Sequence, residues 1–274
     1  MNIFYSKLNE YLDAKHSKTA YRKFMKENPD FDRDTLDRVT ASQKAMDFYP
    51  TPEKCLNYEP ITHCINEARH ILEPCAGLGS MVHFIMKHKP ARTKVDVNEL
   101  NKNFIPILEK FFPKTKITQE NFLEFPIQND YDVIVCNPPF SSGYGKKDKF
   151  YLDFLFKCIY MLHKSTTATR ERCLIFVCPR LVNNRETINT WKAGQFNGFD
   201  FREIIDDISF NKMNSIVKQV TGNELNKKEY KAFQQGEEYE DLDLFIPYQS
   251  EYVDTCEGFG GTGVNADVYR FIML

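Results

Sequence analysis

The spacing of apolar positions changes character along this chain. Residues 1 to about 45 are polar and mixed in charge, with Phe4, Leu8 and Leu12 at helical spacing. Asn28-Pro29-Asp30 marks a turn. The pattern predicts a helix from about Glu53 to Asn66 and a short strand from Arg69 to Leu72. A second strand is predicted over Lys94 to Val97, a helix over Asn101 to Phe111, and a weak strand over Lys116 to Thr118. Tyr131 to Cys136 is the clearest strand, and Cys173 to Cys178 is the next. Phe150 to Leu162 is the most apolar stretch, broken by Asp153 and Lys157, and reads as a buried helix too short to cross a bilayer. Late strand candidates are Phe201 to Ile208 and Val268 to Met273.

Strands alternating with helical segments imply an α/β fold with a mostly parallel sheet and helices on both faces. Residues 1–45 read as a helical N-terminal extension, and 46–274 as the main domain. The stretch from about 211 to 254 is polar and holds Glu237, Glu238, Glu240, Asp241 and Asp243. It is expected to be a surface insertion with a solvated acidic face.

Composition narrows this picture only modestly. The 274 residues are 42% hydrophobic and 27% charged, ordinary for a globular chain, and suffice for a full core. A net charge of -2 excludes binding nucleic acid by bulk charge, although a local basic patch can still meet phosphates. Met1 to Leu12 has no continuous apolar core, so no secretory signal or membrane association is expected. The eight cysteines form no C-x-x-C pair, and several sit in strand-like runs. The expectation is a cytoplasmic protein with reduced cysteines and no metal.

Candidate chemistry gathers at strand ends, where open α/β sheets bind ligands. After the first strand comes Glu73-Pro74-Cys75-Ala76-Gly77-Leu78-Gly79, whose small residues permit close backbone approach to a ligand. It lacks the third glycine of a dinucleotide fingerprint and the lysine of a P-loop, which disfavours NAD and ATP. Glu99 ends the next strand, 26 residues beyond Glu73, near the roughly 20-residue spacing of a ribose-binding carboxylate. Asp96 competes for that role. The strand from Tyr131 delivers Asn137-Pro138-Pro139-Phe140. Two prolines stiffen the turn and remove two N–H donors, leaving the Asn137 side-chain oxygen and the Pro138 carbonyl as acceptors beside an aromatic ring. That arrangement suits a planar substrate bearing an –NH2 group.

The Asn137-to-Phe140 turn resembles the catalytic [N/D]-P-P-[Y/F] motif of amino-methyltransferases, and Glu73 to Gly79 is similar to their cofactor loop. Upstream, Asp47-Phe48-Tyr49-Pro50-Thr51-Pro52 resembles the segment that precedes this loop in N6-adenine DNA methyltransferases of the gamma motif order. Glu120-Asn121-Phe122 falls where that family flanks the cofactor adenine, with Asn121 in place of aspartate. The resemblance covers roughly residues 45 to 180. It implies a Rossmann-like class I methyltransferase sheet of seven strands, one of them late and antiparallel, with S-adenosyl-L-methionine as cofactor. It further implies that Tyr49, Thr51, Glu73, Cys75, Ala76, Gly77, Gly79, Glu99, Asn121 and Phe122 bind the cofactor, and that Asn137, Pro138, Pro139 and Phe140 form the catalytic turn. DNA is the expected partner, with RNA as the alternative, and Lys146, Lys147 and Lys149 just beyond the turn are candidates for meeting its phosphates. A protein N5-glutamine methyltransferase and a catalytically inactive specificity subunit are the remaining alternatives.

Overall fold

A computed structural model describes residues 11, 17–29, 32–34, 36–37, 40–41, 50–128, 130–142, 149–166, 171–179, 181, 208–234, 249–256 and 266–273. Most of the strand expected over Phe201 to Ile208 lies outside these residues, as do the acids at 237–243.

Seven strands form one sheet: β1 (His70–Glu73), β2 (Lys94–Asn98), β3 (Lys116–Thr118), β4 (Val133–Cys136), β5 (Arg172–Cys178), β6 (Gln249–Cys256) and β7 (Ala266–Met273). Their order is β3-β2-β1-β4-β5-β7-β6. The first five pair in parallel, while β7 runs antiparallel to both β5 and β6. This is the seven-stranded Rossmann-like sheet with one reversed late strand that the sequence led us to expect. The connections wind outward in both directions from β1 and β4, which therefore flank the point where strand order reverses.

Side chains alternate between the two faces. Ile71, Val133, Val135, Cys173, Ile175 and Val177 pack with α2 (Glu59–Glu67) and α3 (Ser80–His88). Leu72, Ile134, Cys136, Leu174 and Phe176 pack with α5 (Tyr151–His163) and α6 (Phe210–Thr221) on the other face. A third, smaller cluster joins Phe24 of α1 (Lys18–Glu27) to Phe104 and to Ile107 of α4 (Ile105–Phe111). A further helix, α7 (Lys227–Gln234), follows α6.

Local chemistry accounts for several departures from the expected bounds. The helix foreseen from Glu53 divides into a 3-10 turn at Glu53–Cys55 and α2, because Pro60 sits in the first turn of α2, where its missing N–H costs no helical bond. Pro106 sets the start of α4 in the same way. The stretch expected as a surface insertion holds core-building residues instead: α6 buries Met213, Ile216, Val217 and Val220, and β6 completes the sheet. Their i, i+3, i+4, i+7 spacing is that of a helix packed along one stripe. The expectation of wholly reduced cysteines is also corrected. Cys55 is disulfide-bonded, whereas Cys64, Cys75, Cys136, Cys158, Cys173 and Cys178 are free. Bridging depends on Cα separations of about 4.4–6.8 Å in the folded chain, which spacing along the sequence does not reveal. No helix among the described residues is long and apolar enough to cross a membrane.

A charged cluster ties β1 to β2 and to the entry of β4. The His70 ring lies 3.2 Å from Asp96 and 3.1 Å from Asp130, and the Tyr131 hydroxyl donates to Asp96 at 3.0 Å. Burial lowers the His70 pKa, but the two carboxylates outweigh it and hold the imidazolium above the ordinary histidine value. With the folded value raised, this contribution to stability is complete below about pH 6.5 and is lost as pH rises through the folded value. We expect thermal stability to decline across that range in the native chain, and a His70→Asn variant to lack that part of the decline. Melting curves at a series of pH values check this; parallel curves for the two proteins would refute it.

Candidate active site

The loop after β1 is shaped by its glycines and by the end of β2. Gly77 has φ 54° and Gly79 has φ 88°, conformations in which a side chain is strained. The Gly77 N–H donates to Glu99 Oε2 at 2.6 Å, and Ala76 N–H donates to the Asn98 carbonyl at 3.0 Å. Glu99 Oε1 accepts from Asn101 N–H at 2.6 Å, so the carboxylate is fixed from two sides while lining the pocket. Burial pushes its pKa up against these backbone donors.

Glu73 lies beneath the loop rather than on its surface. It is fully buried, its Oε1 accepts from Cys75 N–H at 3.1 Å, and its Oε2 has no partner among the described residues. Burial lifts its carboxyl well above the usual range. Cys75 faces the pocket, but burial raises its thiol to about 11, so it serves as wall rather than nucleophile.

Asn98 joins two walls of the pocket. Its Nδ2 donates to the carbonyls of Pro74 (3.1 Å) and Glu120 (3.0 Å). Its Oδ1 accepts from Thr118 Oγ1 (2.9 Å) and Glu120 N–H (3.1 Å). One buried amide thus fixes the loop after β1 against the loop after β3. The latter turns at Phe122–Glu124, where Asn121 is the cap: its Oδ1 accepts from Leu123 N–H at 3.2 Å and its Nδ2 donates to Glu124 at 2.8 Å. Phe122 stacks on Phe154 with centroids 5.9 Å apart. The buried Lys157 ammonium lies 5.3 Å from the Phe122 ring and donates to the carbonyls of Leu123 and Phe125. Burial brings its pKa down to about 8.

The turn after β4 forms another wall. Asn137 Nδ2 donates to Thr51 Oγ1 at 2.9 Å. With the amide nitrogen so engaged, the amide's acceptor oxygen is the other arm of the same planar group. Thr51 is buried, and the prolines on either side hold it extended. Phe140 packs edge-on against Tyr151 of α5 at 6.5 Å.

One pocket brings together Thr51, Cys75, Ala76, Gly77, Glu99, Asn121, Phe122 and Asn137 to Phe140. Gly79 is not part of that lining; its N–H donates to the Ala76 carbonyl at 2.7 Å and closes the loop's turn. Asp96, the competitor for the ribose role, is engaged by His70 and Tyr131 away from the pocket. Tyr49, Lys146 and Lys147 lie outside the described residues, and Lys149 is exposed just ahead of α5. Sequence reasoning missed Asn98, Leu100, Phe104 and Phe154, which also line the pocket. Leu100 is 55% exposed there, an apolar side chain open to the pocket mouth. Asn98 and Leu100 flank Glu99 and were legible by adjacency; Phe154, on a helix that reads as core, carried no such signal. Among the described residues, no group of three or more His, Cys, Asp or Glu side chains is arranged to hold a metal ion.

No protein-family model matches the chain, and no curated protein matches it. Among solved structures it is similar to a SAM-dependent methyltransferase from Aquifex aeolicus, at 11% identity over 89% of this chain and 100% of that one, TM-score 0.39. It is similar to the N-methyltransferase NodS from Bradyrhizobium japonicum WM9, at 12% identity over 77% and 91%, TM-score 0.38. It is also similar to SAM-bound CalS10, an amino pentose methyltransferase from Micromonospora echinaspora, at 12% identity over 43% and 47%, TM-score 0.31. At such distances these likenesses leave the reading of the site to its own geometry.

Proposed function

We propose that this chain transfers a methyl group from S-adenosylmethionine to the exocyclic N6 amine of adenine in DNA. The observation that carries this reading is the Asn137 amide, anchored through Nδ2 to Thr51 and lining one pocket with the Gly77–Glu99 pair.

The residues fit the cofactor's three parts. The Gly77 loop leaves room for close backbone approach, Glu99 offers a fixed carboxylate to ribose hydroxyls, and Leu100 with Phe122 offers apolar surface to a purine. The unpartnered Oε2 of buried Glu73 sits beneath the loop, where a polar group near the methionine end would complete it. When bound, the cofactor supplies an electrophilic sulfonium methyl.

The chain's own residues prepare the nucleophile. The N6 lone pair of adenine is delocalised into its ring and attacks poorly. Hydrogen bonds donated by the N6–H groups to Asn137 Oδ1 and to the Pro138 carbonyl favour a more tetrahedral nitrogen, whose lone pair then points out of the ring plane. Phe140 gives the ring a surface to stack on. Holding both reactants in this alignment supplies several kcal/mol, within the roughly 7–11 kcal/mol available to well-oriented reactants. No strong base is required, because the nitrogen becomes acidic once methylated. In a duplex the adenine must leave the stack, at a cost of a few kcal/mol.

Lys157 serves the same site from behind. Lys157→Met strips two buried carbonyls of their donor, at a cost of about 1–3 kcal/mol, and loosens the turn that carries Phe122. We expect S-adenosylmethionine affinity to fall about tenfold by calorimetry while turnover at saturating cofactor changes only a few-fold. Unchanged affinity would remove Lys157 from the account.

The reading is tested by incubating the protein and cofactor separately with DNA, RNA and a protein substrate pool, then analysing nucleosides and peptides by mass spectrometry. N6-methyladenine in DNA is expected. Methyl groups confined to RNA, or found only on glutamine, would overturn the DNA reading.

A further inference from the structure

The 36 basic and 38 acidic residues of the chain nearly cancel, but α1 does not share that balance. Its ten residues carry Lys18, Arg22, Lys23 and Lys26 against a single acid, Glu27. Lys18, Arg22 and Lys26 recur every fourth residue and so form one stripe about 12 Å long. All three are exposed. None of the three takes part in an ion pair among the described residues. Like charges at this spacing weaken the helix that bears them, so helix stability does not account for the stripe.

The opposite side of α1 fixes its place. Phe24 is 2% exposed and packs in one cluster with Leu78, Phe104 and Ile107. Leu78 belongs to the loop after β1, and Phe104 lines the pocket. The basic stripe is therefore carried on a helix clamped directly to the walls of the candidate active site. Over the roughly 12 Å of the stripe a duplex carries about seven negative charges, so all three cations can meet phosphates at once.

We propose that the Lys18–Arg22–Lys26 stripe binds the phosphate backbone of the DNA whose adenine enters the pocket, an inference that rests on the function proposed above. Phosphate contacts position a protein on nucleic acid without reading sequence. The stripe accordingly sets affinity and register, and leaves base choice to the pocket.

The test is a salt titration of binding to a short fluorescent DNA duplex, comparing the native chain with Lys18→Ala/Arg22→Ala/Lys26→Ala. Each lost contact flattens the slope of log affinity against log salt by about 0.9, so the triple variant is expected to lose roughly 2.7 units at every DNA sequence tried. S-adenosylmethionine affinity, measured by calorimetry on the same samples, is expected to stay unchanged and shows that the variant is folded. If the triple variant misfolds, the three single variants are used, each expected to lose about one third of that slope. An unchanged slope in a chain that methylates DNA would overturn the stripe and leave the proposed function standing. Failure of the native chain to bind DNA would also overturn it. A slope that flattens as expected, with methyl groups appearing only on protein glutamine, would keep the stripe and overturn the proposed function instead.

Discussion

Replacing Asn137 with alanine is expected to lower methyl transfer by about 10²–10³-fold, the scale on which a single well-aimed polar group stabilises a transition state. Cofactor affinity is expected to stay within a few-fold, because the Asn137 side chain is assigned to the substrate amine and the Gly77–Glu99 pair to the cofactor. The substitution also removes the donor to Thr51 Oγ1, which leaves a buried hydroxyl short of a partner. Asn137→Asp separates the two losses. A carboxylate keeps an acceptor for the substrate amine, and the Thr51 hydroxyl can reverse its role and donate. That variant is expected to retain a larger share of activity than the alanine variant. Initial rates of methyl incorporation, alongside calorimetry, check both; near-normal turnover in Asn137→Ala would dismantle the catalytic turn as assigned.

Gly77→Val is expected to weaken cofactor binding by about 10²-fold or more. At φ 54° any β-branched residue is strained, by about 1–3 kcal/mol, and its methyl groups would enter the space the loop leaves open. The short bond from Gly77 N–H to Glu99 makes relaxation costly, since moving the backbone releases the carboxylate as well. One substitution therefore perturbs two candidate contacts. A dissociation constant within threefold of the native value, in a variant that melts normally, would refute the loop's role.

How far these features were legible in the sequence follows from burial. β4 and β5 sit in the middle of the sheet with both faces covered, so their residues read as unbroken apolar runs. Among the described residues β6 is an edge strand paired only with β7, and its sequence Gln-Ser-Glu-Tyr-Val-Asp-Thr-Cys is polar, as edges commonly are. The helix α6 lay hidden in a stretch whose average polarity masked one apolar stripe. Within the site, the ordered motifs gave the Gly77 loop and the Asn137 turn because each is continuous in sequence. What brings them together is not continuous. Lys157 reads as an interruption in an apolar helix until its partners, Leu123 and Phe125, are seen. Asn121 reads as a ligand contact, yet its amide also caps a turn, a role set by the residues that follow it.

The Thr51–Asn137 bond has a consequence for how the chain assembles, since it closes a span of 86 residues. His70 meets Lys94 and Asp96 meets Lys116 across far shorter loops. Contacts that close short loops lose less chain entropy and form sooner, whereas distant ones wait for the frame that rewards them. The β1–β2–β3 half, with its glycine loop and Glu99, is thus able to form before the amide of Asn137 is anchored. Local unfolding revisits such partly assembled states from the native side. Amides near Thr51 and Asn137 should then exchange with solvent ahead of those in β1 and β2, and a chain opened there would keep the Gly77 loop and Glu99 without an anchored Asn137.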